Sequence, residues 1–273
     1  MARAAKLVDS SEADHSDGFA AHAGNPDFVL SLARGLRVIE SFGGHREGNS
    51  IAEIAQVTQL SRASIRRILL TLELLGYVER SRQLYSLKTQ VLRLGFSFLS
   101  SSNVVEAARP VLERITEIAH ESSSMSMLDG GEIVYVARSA ASRVLAAGLS
   151  VGSRLPAYCT SMGRVLLAAL PDSELDAYLK GLKPKAYTSK TIVTLPELKR
   201  TILHARKHGF AIVNGELEAG LRSVAVPVFT RDSRVVAAIN VGTHVSRVGR
   251  KTLMKVCLPA LREGALALLE VLC

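Results

Sequence analysis

The hydrophobic residues of the chain first recur at helical spacing after Phe28. A repeat of three to four residues is typical of one face of an α-helix. Gly43-Gly44 ends the run with a C-cap signal, so the pattern predicts a helix between these points. The apolar residues that set the spacing are Leu32, Leu36, Ile39 and Phe42.

Two short amphipathic segments follow, joined at Thr58-Gln59-Leu60. Ser50 stands where an N-cap would start the first segment, and Glu53 three residues later completes a capping-box pattern. Ser61 stands at the corresponding position before the second segment. The pattern predicts a helix, a tight turn and a second helix.

The second of these helices is predicted to bury one side and to present a basic side. Its apolar positions are Ile65, Ile68, Leu69, Leu72 and Leu75. The opposite side carries Arg62, Ala63, Arg66 and Arg67. A basic helix face is often no more than a solvated surface, so its meaning depends on the neighbouring elements.

The segment after Gly76 changes to extended periodicity. Residues 77–80 and 84–87 flank the polar Ser81-Arg82-Gln83, which predicts a short hairpin. Helix, turn, helix and hairpin in this order indicate a winged helix-turn-helix, which lays its second helix in the major groove of double-stranded DNA. The predicted DNA contacts are Ser61, Arg62, Ala63, Ser64, Arg66 and Arg67 on the helix, with Arg82 and Lys88 as phosphate or minor-groove contacts.

The distribution of charge supports this assignment. The chain of 273 residues carries a net charge of +9. Between Arg62 and Arg93 there are seven basic and two acidic side chains, a local net charge of +5. This is the second helix, the hairpin and the segment after it, where contacts with phosphate would be needed.

The remaining periodicity predicts four regions. Residues 1–27 show no sustained pattern and are expected to be a disordered tail. Residues 28–88 form the winged helix-turn-helix domain, residues 89–103 a linker helix, and residues 104–273 a domain of alternating strands and helices. Among its elements are a strand over Val144–Leu149 and a helix opened by a capping box at Thr194 with Glu197. The fold class is therefore α+β.

The cysteine and hydropathy patterns exclude several classes of protein. Cys159, Cys257 and Cys273 lack CxxC spacing, so neither a disulfide framework nor a zinc ribbon is predicted. No apolar run approaches the roughly 20 residues of a membrane span, and no signal-peptide pattern stands at the N-terminus. We expect a cytoplasmic protein with no membrane partner.

One segment of the second domain is suited to binding a small acid. The helix predicted from Thr160 directs free backbone N–H groups forward, and such an end favours a carboxylate. Arg138 or Arg143 could pair with the same carboxylate, because a guanidinium matches it bidentately. Both arginines are equally consistent with surface strand residues.

Catalytic and metal-binding chemistry find little support. His204 and His208 are four residues apart on a predicted helix, but no HExxH pattern surrounds them and Lys207 disfavours a cation. Cys159 has no adjacent base and is expected to be a small buried hydrophobe. No grouping of Ser, His and an acidic residue stands out in the sequence. We therefore predict no enzymatic activity, no metal and no cofactor.

Three stretches together resemble the IclR family of bacterial transcription regulators, in particular the branch that controls the β-ketoadipate pathway. They are SIAEIAQVTQLSRASIRRILLTLELLGYVER, LPAYCTSMGRVLLAAL and GLRSVAVPV. The resemblance implies a GAF-like effector domain, homodimers or homotetramers, and responses to protocatechuate, 4-hydroxybenzoate or related acids. The effector-binding residues that it implies are Ser161, Met162, Asn214, Glu216, Ser223, Asn240 and Gly242.

The combined interpretation is an effector-responsive transcription regulator that binds operator DNA. The resemblance favours activation of an aromatic-acid catabolic operon, with RNA polymerase as a further partner, over repression. An enzyme with a fused winged domain is one alternative, and the absence of a catalytic grouping argues against it. A DNA-binding protein whose second half only oligomerises, without a small-molecule effector, is another.

Overall fold

The protein forms two compact units in a computed structural model, residues 1–98 and 99–273. The structure describes residues 19, 22, 25–42, 48–101, 103–141 and 149–271. The division falls inside the helix that the sequence analysis assigns to the linker. The predicted disordered tail and the glycines at 43 and 44 lie almost entirely outside the described residues.

In the described part of the N-terminal unit, three helices pack with a three-stranded sheet. Its elements are α1 (Leu30–Glu40), β1 (Asn49–Ser50), α2 (Ile51–Thr58), α3 (Arg62–Leu74), β2 (Val78–Ser81) and β3 (Leu84–Leu87). The sheet is antiparallel with the order β1-β3-β2. The two-residue strand β1 was not predicted, because so short a segment has no periodicity of its own.

Local hydrogen bonds define the two central helices as predicted. Ser50 Oγ accepts from the Glu53 backbone N–H, and the Glu53 carboxylate accepts from the Ser50 backbone N–H at 2.7 Å, a complete capping box. Ser61 Oγ caps α3 by accepting from the Ser64 N–H. Between the helices, Gln59 has a φ of +57°, which turns the chain sharply.

The core of this unit is small and brings all of these elements together. It is formed by Val38, Phe42, Ile54, Ile65, Leu69, Leu72, Val78 and Tyr85. The last two come from the hairpin, so the same burial that holds α1, α2 and α3 together also holds the hairpin beside α3. A 3₁₀ turn (Thr89–Val91) then leads to α4 (Leu92–Ser101).

The C-terminal unit is a six-stranded antiparallel sheet between two helical layers. Its elements are α5 (Asn103–Ala119), β4 (Ser123–Asp129), β5 (Glu132–Ser139), β6 (Arg154–Pro156), α6 (Ser161–Ala168), α7 (Asp172–Gly181), α8 (Leu195–His208), β7 (Ala211–Asn214), β8 (Leu221–Phe229), β9 (Val235–His244), α9 (Arg250–Thr252), a π-helical segment (Leu253–Cys257) and α10 (Leu258–Val271). The strand order is β6-β5-β4-β9-β8-β7.

Alternation along the strands divides the core between the two faces of the sheet. On β9, Ala237, Ile239 and Val241 pack with α5 and α10. The neighbouring Ala238 packs with the layer of α6, α7 and α8. Successive strand residues point to opposite faces, so Asn240 and Gly242 lie on the face that α6 covers.

A few expectations differ from the structure. Thr194 stands at the N-cap of the helix that begins at Leu195, as predicted, but its side chain accepts no capping hydrogen bond; Pro196 in the first turn has no N–H to donate. The strand β6 was not predicted, and the strand expected at Val144–Leu149 lies almost wholly outside the described residues. No helix in the described part of the chain combines the length and apolar character that crossing a membrane requires.

Candidate functional site

The basic side of α3 is exposed and its apolar side is buried. Ile65, Leu69 and Leu72 are buried in the core. The side chains of Arg62, Ala63, Arg66 and Arg67 are exposed, and Ser64 is half-buried in the first turn. Because the apolar side chains hold the helix to the unit, the arginine side is free to meet another molecule.

A groove of about 230 Å³ runs between α3 and the hairpin. Arg62 and Arg66 line it from α3, and Arg80 lines it from β2. Arg80 lies 5.7 Å from the centre of the Tyr85 ring, which holds its guanidinium beside the groove. Ser50, Ile51, Ala52 and Gln83 complete the lining. Three guanidinium groups in one groove suit a polyanion such as duplex DNA, whose phosphates and base edges both accept hydrogen bonds.

Arg80 was not among the residues predicted to belong to this surface. Arg82 and Lys88, which were predicted, are also exposed. Arg82 occupies the tip of the hairpin with a φ of +56°, and its carbonyl accepts from Arg80 Nε at 2.9 Å. Alternation along β2 gave no signal for Arg80, because the buried Val78 stands two residues before it and faces the same side of the strand.

The second candidate site lies on the sheet face covered by α6. Arg138, Ser124 and Asn240 are direct register partners on β5, β4 and β9. Cross-strand partners share a face of the sheet, so these three polar residues form one row beneath α6. The Arg138 guanidinium is half-buried and donates from Nη1 to the Leu149 carbonyl at 2.9 Å.

Two buried side-chain oxygens, one on α6 and one on the strand row beneath it, are not satisfied by the described residues. Ser161 begins α6 and is 1% exposed, and Asn240 is 8% exposed. Ser161 Oγ and Asn240 Oδ1 have no hydrogen-bond partner among the described residues. A buried polar atom without a partner is costly, so such atoms mark a place where a ligand would be stabilised.

The end of α6 is suited to an anion. The Thr160 side chain caps it by accepting from the Gly163 N–H at 3.1 Å. Its first turn contains no acidic residue, so the partial positive charge of the helix end is not neutralised locally. Met162, the second residue of α6, is buried and its Sδ accepts from Ser126 Oγ at 3.2 Å.

Ser223 and Gly242 are register partners on β8 and β9. They therefore share the α6 face with Asn240. A Cβ atom placed on Gly242 would meet no other atom within 4 Å. Five of the residues predicted to bind an effector are thus grouped on one layer: Ser161, Met162, Ser223, Asn240 and Gly242.

The other predicted effector residues have different surroundings. Asn214 is exposed, and its Oδ1 accepts from Arg222 Nε. Glu216 is buried and forms an ion pair with Arg164. Arg143 lies outside the described residues, so of the two candidate arginines only Arg138 is placed by the structure.

The remaining reactive side chains are in unreactive settings. Burial, with the Glu216 carboxylate as a further cause, raises the pKa of the Cys159 thiol to about 12. The rings of His204 and His208 stack at 3.9 Å on the exposed side of α8. The described residues contain no group of three or more His, Cys, Asp or Glu side chains placed to share a metal ion.

Two family profiles match the chain. The profile described as IclR helix-turn-helix domain matches residues 31–82. The profile described as Bacterial transcriptional regulator IclR C-terminal matches residues 96–269. The first includes the three arginines of the groove, and the second covers the layer around α6.

Individual relatives extend over nearly the whole chain. The Pca regulon regulatory protein of Pseudomonas putida is 47% identical over 242 residues, 88% of this chain and 83% of that protein. A structure from Rhodococcus sp. RHA1, named as a transcriptional regulator, is 46% identical with a TM-score of 0.80, covering 90% of this chain and 98% of that one.

A third relative is known with a bound molecule. It is a double mutant of the PobR transcription factor inducer-binding domain from Acinetobacter, in complex with 3-hydroxybenzoic acid. It is 30% identical with a TM-score of 0.57 and covers 60% of this chain and 96% of that chain. These relatives are named as regulators and not as enzymes, as the sequence analysis predicts.

Proposed function

The chain belongs to the IclR family of bacterial transcription regulators, and from this premise we propose that it activates an aromatic-acid catabolic operon in response to a small aromatic acid. In this proposal the arginine groove meets the operator, the α6 layer holds the acid, and a homodimer reads the two halves of the operator. Each of these three parts has its own support.

The arginine groove supports the first part. Arg66 and Arg67 are exposed on α3, where a winged helix-turn-helix meets base edges. Arg80 faces the same groove as Arg62 and Arg66 from the hairpin side. We assign base reading to α3 and phosphate contact to Arg80, Arg82 and Lys88, since phosphate contacts set the position of the protein on the duplex.

The observation that carries the second part is the pair of unsatisfied buried atoms on the α6 layer. Ser161 Oγ and Asn240 Oδ1 would each gain a partner if a hydroxylated acid lay between α6 and the sheet. The end of α6 would stabilise the carboxylate, and Arg138 lies on the same row as Asn240. No atom lies within 4 Å of where a Cβ on Gly242 would stand, so part of the ring could lie there.

The choice of an aromatic acid follows from chemistry and from similarity. The layer is largely apolar with a few polar groups, which suits a small ring bearing a carboxylate and a hydroxyl. The PobR domain named above holds 3-hydroxybenzoic acid. The Pca regulon regulatory protein, at 47% identity, supports a place for this chain in aromatic catabolism.

Exposed apolar side chains on α4 support a homodimer. Leu92, Leu94 and Phe96 are 68%, 49% and 67% exposed. Three large apolar side chains on one short helix are costly in water and mark an interaction surface. We propose that a second copy of the chain covers them, because a dimer presents two recognition helices to a pseudo-palindromic operator.

The dimer surface is testable by replacing Phe96 with glutamate. A charge at this position would oppose burial against the partner copy, and sedimentation should show a shift toward monomer. Glu106→Lys, an exposed change on α5, serves as a charge-altering control that should leave the assembly unchanged. An unaltered assembly in Phe96→Glu would remove α4 from the interface.

Thermal denaturation with a panel of acids tests the proposed effector. A ligand bound only by the folded protein raises the melting temperature. A selective rise with protocatechuate, 4-hydroxybenzoate or β-ketoadipate would identify the effector class. No shift across the panel would favour a C-terminal unit that only oligomerises.

Activation is tested separately in cells by deleting the gene. Operon expression in the presence of the acid should fall if the protein is an activator. Expression that rises in the deletion strain without acid would instead assign repression.

A further inference from the structure

Arg164 and Glu216 form a buried ion pair in the C-terminal unit. Arg164 Nη2 donates to Glu216 Oε2 at 2.6 Å, and the two side chains are 4% and 7% exposed. Burying two charges costs much of what their attraction returns, and apolar replacements of similar volume are often neutral or stabilising. Stability is therefore a weak explanation for the pair.

The guanidinium joins α6 to the turn before it. Arg164 lies one helical turn after Ser161, and its Nε donates to the Tyr158 carbonyl at 3.0 Å. The Tyr158 hydroxyl in turn donates to the Lys185 carbonyl at 2.7 Å and accepts from the Lys185 N–H at 2.9 Å. The first turn of α6 is thus tied to the segment that follows α7.

The carboxylate joins the loop after β7 to that same segment. Glu216 Oε2 accepts from the Ile192 N–H at 3.2 Å, and the Glu216 carbonyl accepts from Thr191 Oγ1 at 2.6 Å. Thr188 Oγ1 donates to the Gly215 carbonyl at 2.6 Å. Removing the carboxylate would therefore release the contacts with Arg164 and Ile192, and it would leave the two backbone carbonyls of the loop bound to the threonines as their remaining links to this segment.

Glu216 is poorly suited to touch an anionic effector itself. An ionised carboxylate only accepts hydrogen bonds, and it repels a second carboxylate. Its Oε2 is already occupied by Arg164 and Ile192. The resemblance places Glu216 at the effector site, while its contacts give it a different part there.

We propose that Glu216 is a positioning residue, which through Arg164 holds the loop after β7 and the first turn of α6 in one arrangement and so sets the affinity for the effector. This inference rests on the proposed function, since that function places the acid at the α6 end. It adds a coupling between the loop after β7 and the first turn of α6, and the affinity for the acid depends on that coupling.

The first test measures binding in a variant designed to fold without the pair. Arg164→Met with Glu216→Gln removes both charges and keeps the volumes similar, so the melting temperature should stay close to that of the wild type. Titration calorimetry with 4-hydroxybenzoate and protocatechuate should show affinity lowered about ten-fold or more. Affinity equal to wild type in the folded double variant would overturn the inference.

The matched control breaks an exposed ion pair in the same unit. Lys199 and Asp176 lie 2.5 Å apart with side chains 44% and 56% exposed. Asp176→Asn should leave acid binding and exchange unchanged, because exposed pairs contribute little. An equal loss of affinity in this variant would contradict a role specific to Glu216.

The second test needs no acid and separates this inference from the proposed function. Hydrogen exchange of the full-length double variant should accelerate together at residues 158–164, 188–192 and 215–218, with residues 172–181 unchanged. Acceleration confined to 215–218 would show that Glu216 stabilises its own loop alone. If the double variant did not fold, hydrogen exchange would be measured on Glu216→Asp instead. That variant keeps the charge and shortens the side chain, and the same three segments would be compared with the wild type.

A wild-type protein that bound none of the acids would count against the proposed effector. The exchange result would still decide whether Glu216 couples the two segments.

Discussion

Ser223 and Gly242 lie directly opposite each other on β8 and β9, and a Cβ atom on Gly242 would meet no atom within 4 Å. Neither of the usual structural reasons for a glycine applies at this position. An added Cβ atom would not collide with a neighbouring atom, and the φ angle does not lie in the left-handed region. Its lack of a side chain leaves room on the face that α6 covers. That room is what the proposed effector would occupy.

Replacing Gly242 with valine should abolish the response to the acid while the protein stays folded. Valine is favoured in strands, so the stability should change by no more than about 1 kcal/mol. Thermal denaturation with and without protocatechuate measures both quantities. Ser173→Val on the exposed side of α7 is the control, and a normal ligand-induced rise in Gly242→Val would place the acid elsewhere.

Replacing Arg66 with alanine should weaken binding to the operator more than binding to unrelated DNA. If the side chain reads a base edge, the loss should be about 1 to 3 kcal/mol and discrimination at that base pair should relax. Fluorescence anisotropy with operator and scrambled duplexes measures both. Equal affinity of variant and wild type for the operator would exclude Arg66 from base reading.

Replacing Arg80 with alanine should weaken binding to all duplexes by a similar factor. A phosphate contact carries no sequence information, and its loss should reduce the slope of log affinity against log salt by about 1. Binding measured across a salt series checks this. Arg200→Ala, an exposed change on α8, should keep the wild-type slope, and loss of specificity in Arg80→Ala would assign it a base contact instead.

Stability should fall as the pH rises above about 9, in part because of Cys159. Burial raises the pKa of its thiol from 9.0 to about 12, so the folded state keeps the proton that the unfolded state releases. This contribution is fully present below pH 9 and is lost progressively as the pH rises toward 12. At pH 10 the loss is about 1.4 kcal/mol.

Urea unfolding at pH 8 and pH 10 tests this sign and magnitude. The Cys159→Ala variant should lose less stability between the two pH values than the wild type does. Its absolute stability is a separate matter, since removing a buried sulfur leaves a small cavity. Equal losses in the two proteins would show that Cys159 does not contribute to the alkaline decline.

Contacts between near neighbours in the chain were predictable. The capping box of Ser50 with Glu53 and the cap of α3 by Ser61 each involve residues three apart, and both are confirmed. The two faces of α3 follow from helical periodicity, because residues at spacings of three and four lie on one side. Thr194 shows the limit of such signals, since the same motif forms no cap there.

The grouping of the effector residues has a different origin. Most of the individual effector residues were predicted from the resemblance to a family. The row of Arg138, Ser124 and Asn240 is set by the register of β5, β4 and β9, which are not all consecutive in the chain. Register depends on which hydrophobic residues are buried on each face of the whole sheet. No local pattern contains that information.

The sequence by itself determined the winged module, its basic helix and the α+β class, because periodicity, caps and charge act over a few residues. Tertiary structure alone decided that Arg80 joins the groove of Arg62 and that Glu216 pairs with Arg164. These pairs bring together residues on separate elements, the latter 52 positions apart. Their meeting depends on how the cores bury their apolar faces, which only the complete fold specifies.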